Sequence, residues 1–512
     1  MSGAQMNEDL KALGYNELIR RYGLDVLSPW CESWLAPRGE RKTHIEKNLT
    51  TSIYPPRYNP GDELSDQLTF ALKYEGVNLE VLSALFSIIE SKDLVLFIKS
   101  RPTGKYARLI WFYYEWLTEK LLPLGDLKRG NYISALDPEK YYVVEERLAH
   151  KARRQRVICN LAGTVDYCPL VRKTDRLQSF DSMALDERAC AMISEYSDDL
   201  IYRATQYLFA KETKSSFEIE REHPDKRRTA RFVELLRQTE GISISEAELV
   251  RLQKEIVDDR FALGTYRDFQ NYVGQSVAPS CEIIHYASPK PDDIRAMMAG
   301  WIQCSNNMIR SDVPPVISAA TVGYGFVFLH PFDDGNGRLH RYLIHHVLAK
   351  KHFTPSGLIF PVSATMLKNM TRYDETLECF SRQVMQHVEY SLDGHGEMAV
   401  SNDTARFYRY QDMTQQAEGL FEFVQDTIES EFVNELEYLD VFDQAKNRVC
   451  EIVDMPDRKL DLFIRLSLQN RGKLSRSKRS LFEKLTDDEV KQMSAVIEDV
   501  IRQKEKLVSS II

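Results

Sequence analysis

Apolar residues recur at helical spacing along most of this chain. Between Gly61 and Ile98 they fall at Leu64, Leu68 and Leu72, then at Leu79, Leu82, Leu85 and Ile88. Residues 106–121 continue the pattern and carry Trp111, Phe112, Tyr113, Tyr114 and Trp116. An aromatic group of this kind packs a core more often than it forms a ligand platform. Residues 145–156 hold Arg147, Lys151, Arg153, Arg154 and Arg156 and read as a solvated helix face. Residues 169–185 are polar and weakly periodic, as a connector would be. A helix is expected from Ser194 to Lys211, followed by Lys214-Ser-Ser-Phe-Glu-Ile-Glu220 and interrupted at His223-Pro224. Two more helices are expected, from Asp225 to Arg237 and from Ser245 to Val257. In the second, Ser245 suits the N-cap and Glu248 completes a capping-box pattern.

The stretch from Asn271 to Tyr286 breaks this rhythm. Tyr272, Val273, Ile283, Ile284 and Tyr286 favour strand, and Gly274 and Pro279 supply turn chemistry, so a β-hairpin with a long tip is predicted. Helix resumes after Pro291, with Asp292 and Asp293 at its positive end, and stops at Pro314-Pro315. Residues 316–329 are apolar enough for a buried helix. Residues 338–350 form another helix, with Leu339, Leu343, Val347 and Leu348 toward one side. Several amphipathic helices complete the chain, broken by a basic loop from Arg471 to Arg479. No internal repeat is visible. The pattern is mainly α with one hairpin.

Composition narrows this picture. The 512 residues suggest roughly three domains. With 43% hydrophobic and 28% charged residues the chain can build stable cores, which excludes dominant disorder. The net charge of −9 argues against a nucleic-acid partner, and the run at 471–479 is read as solvent-facing. The 8 cysteines form no C-x-x-C pair, so neither a disulfide scaffold nor a structural zinc site is expected. The first ten residues are polar, and no apolar run approaches the ~18–20 residues of a membrane span. The expected location is a reducing cytoplasm, with no membrane partner.

Chemistry concentrates in His330-Pro-Phe-Asp-Asp-Gly-Asn-Gly-Arg-Leu-His-Arg341. A helix ends at His330, a loop holds Gly335, Asn336 and Gly337, and a second helix begins. Small residues ahead of a helix let backbone N–H groups approach an anion, and the helix dipole favours negative charge there. Arg338 and Arg341 are three apart and share one face, so two guanidinium groups stand beside that anion nest, as a polyphosphate would require. Asp334 would repel phosphate unless a divalent cation lies between them, and Mg²⁺ accepts one carboxylate plus phosphate oxygens. His330, across the loop, suits a general base for an incoming hydroxyl. Each part alone has an ordinary structural explanation; their joint occurrence weakens it.

This stretch resembles the Fic-family signature, His-x-Phe-x-Asp/Glu-Gly-Asn-Gly-Arg-x-x-Arg, at every defined position. The resemblance implies a helical Fic core with a β-hairpin flap, flanked here by N- and C-terminal helical regions. It implies a division into residues 1–194, a catalytic core at 195–390 and residues 391–512. The general layout is similar to that of the longer bacterial Fic proteins. The implied activity is transfer of a nucleoside monophosphate, usually AMP from ATP, to a Ser, Thr or Tyr hydroxyl of a protein, including the chain itself. The implied roles are as follows. His330 is the general base, and Phe332 anchors the loop. Asp334 holds Mg²⁺, and Gly335, Asn336 and Gly337 cradle the α- and β-phosphates. Arg338 binds the leaving pyrophosphate, and Arg341 holds the γ-phosphate. The hairpin lies where the family carries its flap, so Tyr272, Val273 and Gly274 would dock the target as an added strand; an ordinary edge hairpin fits the same residues. Tyr373 lies where the family builds its base pocket, and a plain core tyrosine fits it equally.

The family also carries an inhibitory motif, Ser/Thr-x-x-x-Glu-Gly/Asn, whose Glu pairs with the second signature Arg. Ser216-Phe-Glu-Ile-Glu220 matches its first five positions, ahead of the core as in the subclass with an N-terminal inhibitory helix. Arg221 departs from the pattern, which puts the close packing of the helix end in doubt. A kinase-like relative of the Doc type would have Lys where this chain has Gly337. Transfer of UMP, GMP or phosphocholine stays open, as does a regulatory or scaffold protein that senses nucleotide. Target choice and self-association stay open for the flanking regions.

Overall fold

The computed structural model describes residues 10–46, 48–278, 281–355 and 357–511. Residues 1–9 and Pro279, which bear on the expected absence of a leader and on the hairpin turn, lie outside them. The fold is mainly helical, and beside a small buried cluster of Leu13, Tyr54 and Phe70 it has three larger ones among the described residues. The first draws on residues between Tyr15 and Leu170 together with Tyr410, the second chiefly on residues from Val144 to Leu436, and the third on residues from Ala445 to Ile497.

The N-terminal part contains strands that the pattern did not predict. Lys11–Leu13, Cys31–Leu35, Leu49–Tyr54 and Lys42–Glu46 lie side by side in that order, with a parallel pair at the centre. These strands are short, and Lys42–Glu46 is exposed throughout, so no period-2 burial marks it. The predicted aromatic helix runs from Lys105 to Thr118, and Trp111, Phe112, Tyr113 and Tyr114 are all buried, as a core group should be.

Residues 145–156 are not a helix. They form turns around the strand His150–Ala152, which pairs with Val157–Cys159. The basic side chains there hold the chain together: Arg154 meets Glu115 at 3.0 Å and Asp126 at 2.8 Å, and Lys151 meets Glu146 at 2.7 Å. A helix, Asp175–Asp181, lies inside the expected connector. Similarly, the basic stretch at the C-terminal end includes a short 3-10 helix, Arg476–Phe482, with Arg479 bound to Asp487 at 2.8 Å.

Four elements position the candidate site. The long helix, Asp198–Ile219, starts at Ser197, whose hydroxyl accepts from the Leu200 N–H. The hairpin pairs Tyr272–Ala278 with Cys281–Ala287 and shifts register between Val273 and Gly274. The buried helix, Pro315–Leu329, starts with Pro at its first turn and is buried at every position from Val316 to Phe326. The motif helix, Asn336–Lys350, packs along it. Gly323 permits the close approach, because a Cβ there would lie 2.8 Å from Ile344 Cγ1.

The helix Glu246–Ile256 underlies the loop between these two. Its N-cap forms as expected, with Ser245 Oγ accepting from Glu248 N–H at 3.2 Å. The Glu248 carboxylate turns to Arg251 instead of completing the box.

Candidate active site

His330 caps the buried helix in the left-handed region, at φ 49°. That conformation costs an L-residue roughly 1–2 kcal/mol, so the surroundings must hold it. The His330 N–H donates to Phe326 O at 3.0 Å, and its ring Nδ1 lies 3.1 Å from Val327 O. A carbonyl only accepts, so the hydrogen sits on Nδ1 and Nε2 keeps a lone pair. The low-dielectric surroundings lower the His330 pKa to about 4; the bond to Val327, Glu220 and Asp334 pull upward, while Arg267 adds to the lowering. The imidazole is therefore neutral at physiological pH.

The loop after His330 is clipped by its own residues. Phe332 is fully buried against Tyr266 and Phe326. Asn336 accepts from Phe332 N–H at 3.1 Å and donates to Phe332 O at 2.7 Å, so its side chain is committed to the loop. Gly335 has φ 90°, and a Cβ there would also lie 2.7 Å from Val257 Cγ1. Gln253 supports the loop from below, donating to Asp334 O at 3.3 Å.

Both arginines of the motif are buried, each 1% exposed, and both meet carboxylates from the end of the long helix. Arg341 Nη2 lies 2.8 Å from Glu220 Oε1 and donates to Ser216 O at 2.7 Å, while Nε donates to Ser216 Oγ at 2.9 Å. Burial alone would lower the Arg341 pKa, but Glu220 and the Tyr373 hydroxyl reverse the direction. Arg338 meets Glu222 at 2.8 Å and Asp334 at 2.6 Å and lies over the Phe217 ring. The Glu220 carboxylate also covers the start of the motif helix, since a Cβ on Gly337 would lie 2.0 Å from Glu220 Oε1. Four residues further on, His345 Nε2 lies 2.8 Å from Glu212 Oε1, and Ser363 N–H donates to Glu212 at 2.9 Å. The long helix is thus fastened to the motif helix at three levels.

Local helix-end chemistry delivers the two carboxylates. Arg221 N–H donates to Glu218 O at 2.9 Å and Glu222 N–H to Phe217 O at 3.0 Å, the paired bonds of a Schellman motif. That motif places its C′ residue in the left-handed region, and Arg221 is there at φ 57°. The Gly/Asn preference of the family pattern has this physical basis, and Arg221 takes the same conformation at a cost. Arg221→Gly should therefore stabilise the fold by about 1 kcal/mol. Urea unfolding followed by the fluorescence of the buried Trp301 would measure it; an unchanged or lower midpoint would count against that account.

The hairpin joins the same loop. Asn271 Nδ2 donates to Phe332 O at 2.9 Å. Arg267 is 3% exposed and donates to three carbonyls: His330 O at 2.9 Å, Phe269 O at 2.7 Å and Pro289 O at 2.6 Å. Burial lowers its pKa to about 10, which leaves it charged at neutral pH. On the hairpin itself Val273 is 43% exposed and Ile283 49% exposed. Gly274 is exposed between them, and Tyr272 donates its hydroxyl to Gly396 O at 3.0 Å. Tyr373 is buried, with its hydroxyl 3.4 Å from Arg341 Nη1, which matches the core alternative.

The structure brings His330, Asp334, Gly335, Asn336, Gly337, Arg338, Arg341, Ser216 and Glu220 to one place, with the hairpin foot beside them. Sequence reasoning missed Glu222, Arg267, Asn271 and Glu212. Glu222 stands two residues from Glu220, yet only the helix-end geometry turns it toward Arg338. Arg267 shows no motif; its partners are main-chain carbonyls, which carry no side-chain signature. Among the described residues no three His, Cys, Asp or Glu side chains gather as a metal site. Asp334 alone, with its side chain 42% exposed, suits a cation that takes its other ligands from phosphate oxygens. A cavity of about 620 Å³ opens elsewhere, beside Trp30, Glu80 and Arg172, and no residue of 330–341 lines it.

A family model described as the Fic/DOC family matches residues 243–348. Curated relatives named protein adenylyltransferase Fic are similar over the same scale. The protein from Drosophila yakuba is 30% identical over 116 residues, 22% of this chain and 21% of the relative. That from Nematostella vectensis is 28% identical over 127 residues, 24% of this chain and 26% of the relative. The chain thus spans about a fifth to a quarter of the length of these relatives. Among solved structures, a Fic family protein from Desulfovibrio desulfuricans aligns with 51% of this chain and 76% of its own, at 17% identity and a TM-score of 0.37. A Fic domain containing signaling protein from Bacteroides thetaiotaomicron aligns with 52% of this chain and 97% of its own, at 15% identity and a TM-score of 0.37. Residues 243–348 thus match the Fic/DOC family model, and within them the full signature lies on a loop between two packed helices.

Proposed function

We propose that this chain transfers AMP from ATP to a Ser, Thr or Tyr hydroxyl of a protein, itself included, and that Glu220 restrains the transfer. One observation carries the reading: a neutral His330 with an available Nε2 stands beside a helix start flanked by two buried arginines. The relatives named protein adenylyltransferase agree with it.

In this mechanism Nε2 of His330 accepts the hydroxyl proton as the oxygen attacks the α-phosphorus. The bond from that phosphorus to the β-phosphate oxygen breaks, and pyrophosphate leaves. The start of the motif helix, at Gly335, Asn336 and Gly337, offers backbone amides to the phosphates, and Arg338 and Arg341 neutralise the charge that develops on them. Asp334 would hold Mg²⁺, which supplies charge neutralisation on the phosphates. The hairpin, through Tyr272, Val273 and Gly274, offers an edge for an extended target segment.

In the resting arrangement Glu220 occupies the space above Gly337 and engages Arg341, where an incoming phosphate would need both. Labelled-ATP incorporation by wild type and Glu220→Gly tests activity and restraint together, and a panel of labelled nucleotides tests the base. Incorporation of the γ-phosphate alone, or no incorporation by either protein, would overturn the reading. Cys31, Cys159, Cys168, Cys190, Cys304, Cys379 and Cys450 are free thiols, which suits a reducing cytoplasm. Among the described residues no helix is long and apolar enough to cross a membrane.

The pH dependence follows from His330. The base works only when neutral, and its pKa lies near 4 instead of the usual 6.5. Transfer should hold steady as pH falls from about 7.5 to about 5.5 and be lost as His330 protonates below that. A pH profile of the initial rate with an acidic midpoint near 6.5 would contradict it.

A further inference from the structure

Arg267 stands outside the signature and touches no side chain that the transfer uses, yet it is buried and charged, and its guanidinium donates to main-chain carbonyls instead of a carboxylate. A buried cation in that position has to be solvated by dipoles. Its partners are not a random set. Nε binds His330 O, the carbonyl at the left-handed bend that presents the base. Nη1 binds Phe269 O, three residues ahead of the first hairpin strand, and Nη2 binds Pro289 O, two residues past the second. Its main-chain N–H adds a fourth bond, to Pro331 O at 2.9 Å.

We propose that Arg267 is a positioning residue that ties both feet of the hairpin to the His330 backbone, so that flap and base move as one unit. The planar guanidinium is suited to this because its donors diverge in fixed directions and can hold three carbonyls at once. An ammonium group keeps the charge but lacks the fork. The tether gives the docking surface and the base a common frame. A target strand added to the hairpin is thereby held at a set distance from Nε2. Asn271 supports the same joint from the hairpin side, through Phe332 O.

The kinetic arm of the test rests on the transferase reading; the exchange arm does not. Amide hydrogen exchange is measured on full-length wild type, Arg267→Lys and Arg267→Met. The expected result for Arg267→Met is at least tenfold faster exchange in the hairpin strands and at the amides of His330 and Phe332, with the motif helix as protected as in wild type. Arg267→Lys should fall between, and it keeps the test informative if Arg267→Met does not fold. Hairpin exchange equal to wild type in both variants would overturn the proposal. So would faster exchange spread equally over the motif helix, which marks a general structural prop. In the Glu220→Gly background, Arg267→Met should lower kcat for labelling at least tenfold with the KM for ATP unchanged, and Arg267→Lys should recover part of it. A rise in KM at constant kcat would also overturn it. If the Glu220→Gly parent incorporates no label, the transferase reading fails, while the exchange result still decides the tether.

Discussion

Glu220→Gly is expected to raise labelled-ATP incorporation at least tenfold over wild type. The carboxylate leaves Arg341 Nη2, and the space above Gly337 opens. Arg341 keeps its two bonds to Ser216, so the guanidinium stays where the motif helix aims it and gains room for phosphate. A tenfold change corresponds to ~1.4 kcal/mol of preference for the restrained state. The contact is suited to supply that, since Arg341 is 1% exposed and Glu220 is the carboxylate that meets it. Equal rates for the two proteins would remove Glu220 as a restraint. The readout is the initial rate of self-labelling at saturating ATP, with the modified residue identified by mass spectrometry.

His330→Ala, made in the Glu220→Gly background, should lower incorporation by roughly 10²–10⁴-fold, the usual contribution of a positioned general base. Nucleotide binding, measured by calorimetry, should change little. In the proposed mechanism the ring acts on the hydroxyl, while the helix start and the arginines meet the phosphates. A combined loss of binding and transfer would instead make His330 a structural cap whose removal releases the loop. That alternative has substance, because His330 sits in a strained left-handed conformation. His330→Asn separates the two, since Asn tolerates that conformation and lacks the basic nitrogen. Retained binding with lost transfer in His330→Asn identifies the base. Transfer near the parent rate would sink the assignment.

Much of the site was legible because its chemistry is local. His330 to Arg341 is one stretch, and helix geometry alone places Arg338 and Arg341 on a common face. The Ser216 to Glu220 spacing is one helical turn, so both residues face the same guanidinium once the helices pack. Arg221 looked like a defect in that pattern. The structure shows that the pattern describes a backbone conformation, and Arg221 adopts it. The basic stretch at 145–156 was misread as helical for a related reason. Charge spacing marks exposure, but Arg154 is held by Glu115 and Asp126, 39 and 28 positions earlier, and the stretch carries the strand His150–Ala152.

By itself the sequence determined the helical character of the chain, the hairpin and the chemical make-up of the loop at 330–341. Each of these follows from residue spacing within one or two turns, where side-chain periodicity and backbone preference decide the outcome. The tertiary structure decided which groups hold one another. Arg341 meets Glu220 across 121 positions and Arg338 meets Glu222 across 116. Arg267 reaches His330 and both ends of the hairpin through carbonyl oxygens that every residue carries. Such contacts have no signature along the chain, because they depend on where packing brings the backbone.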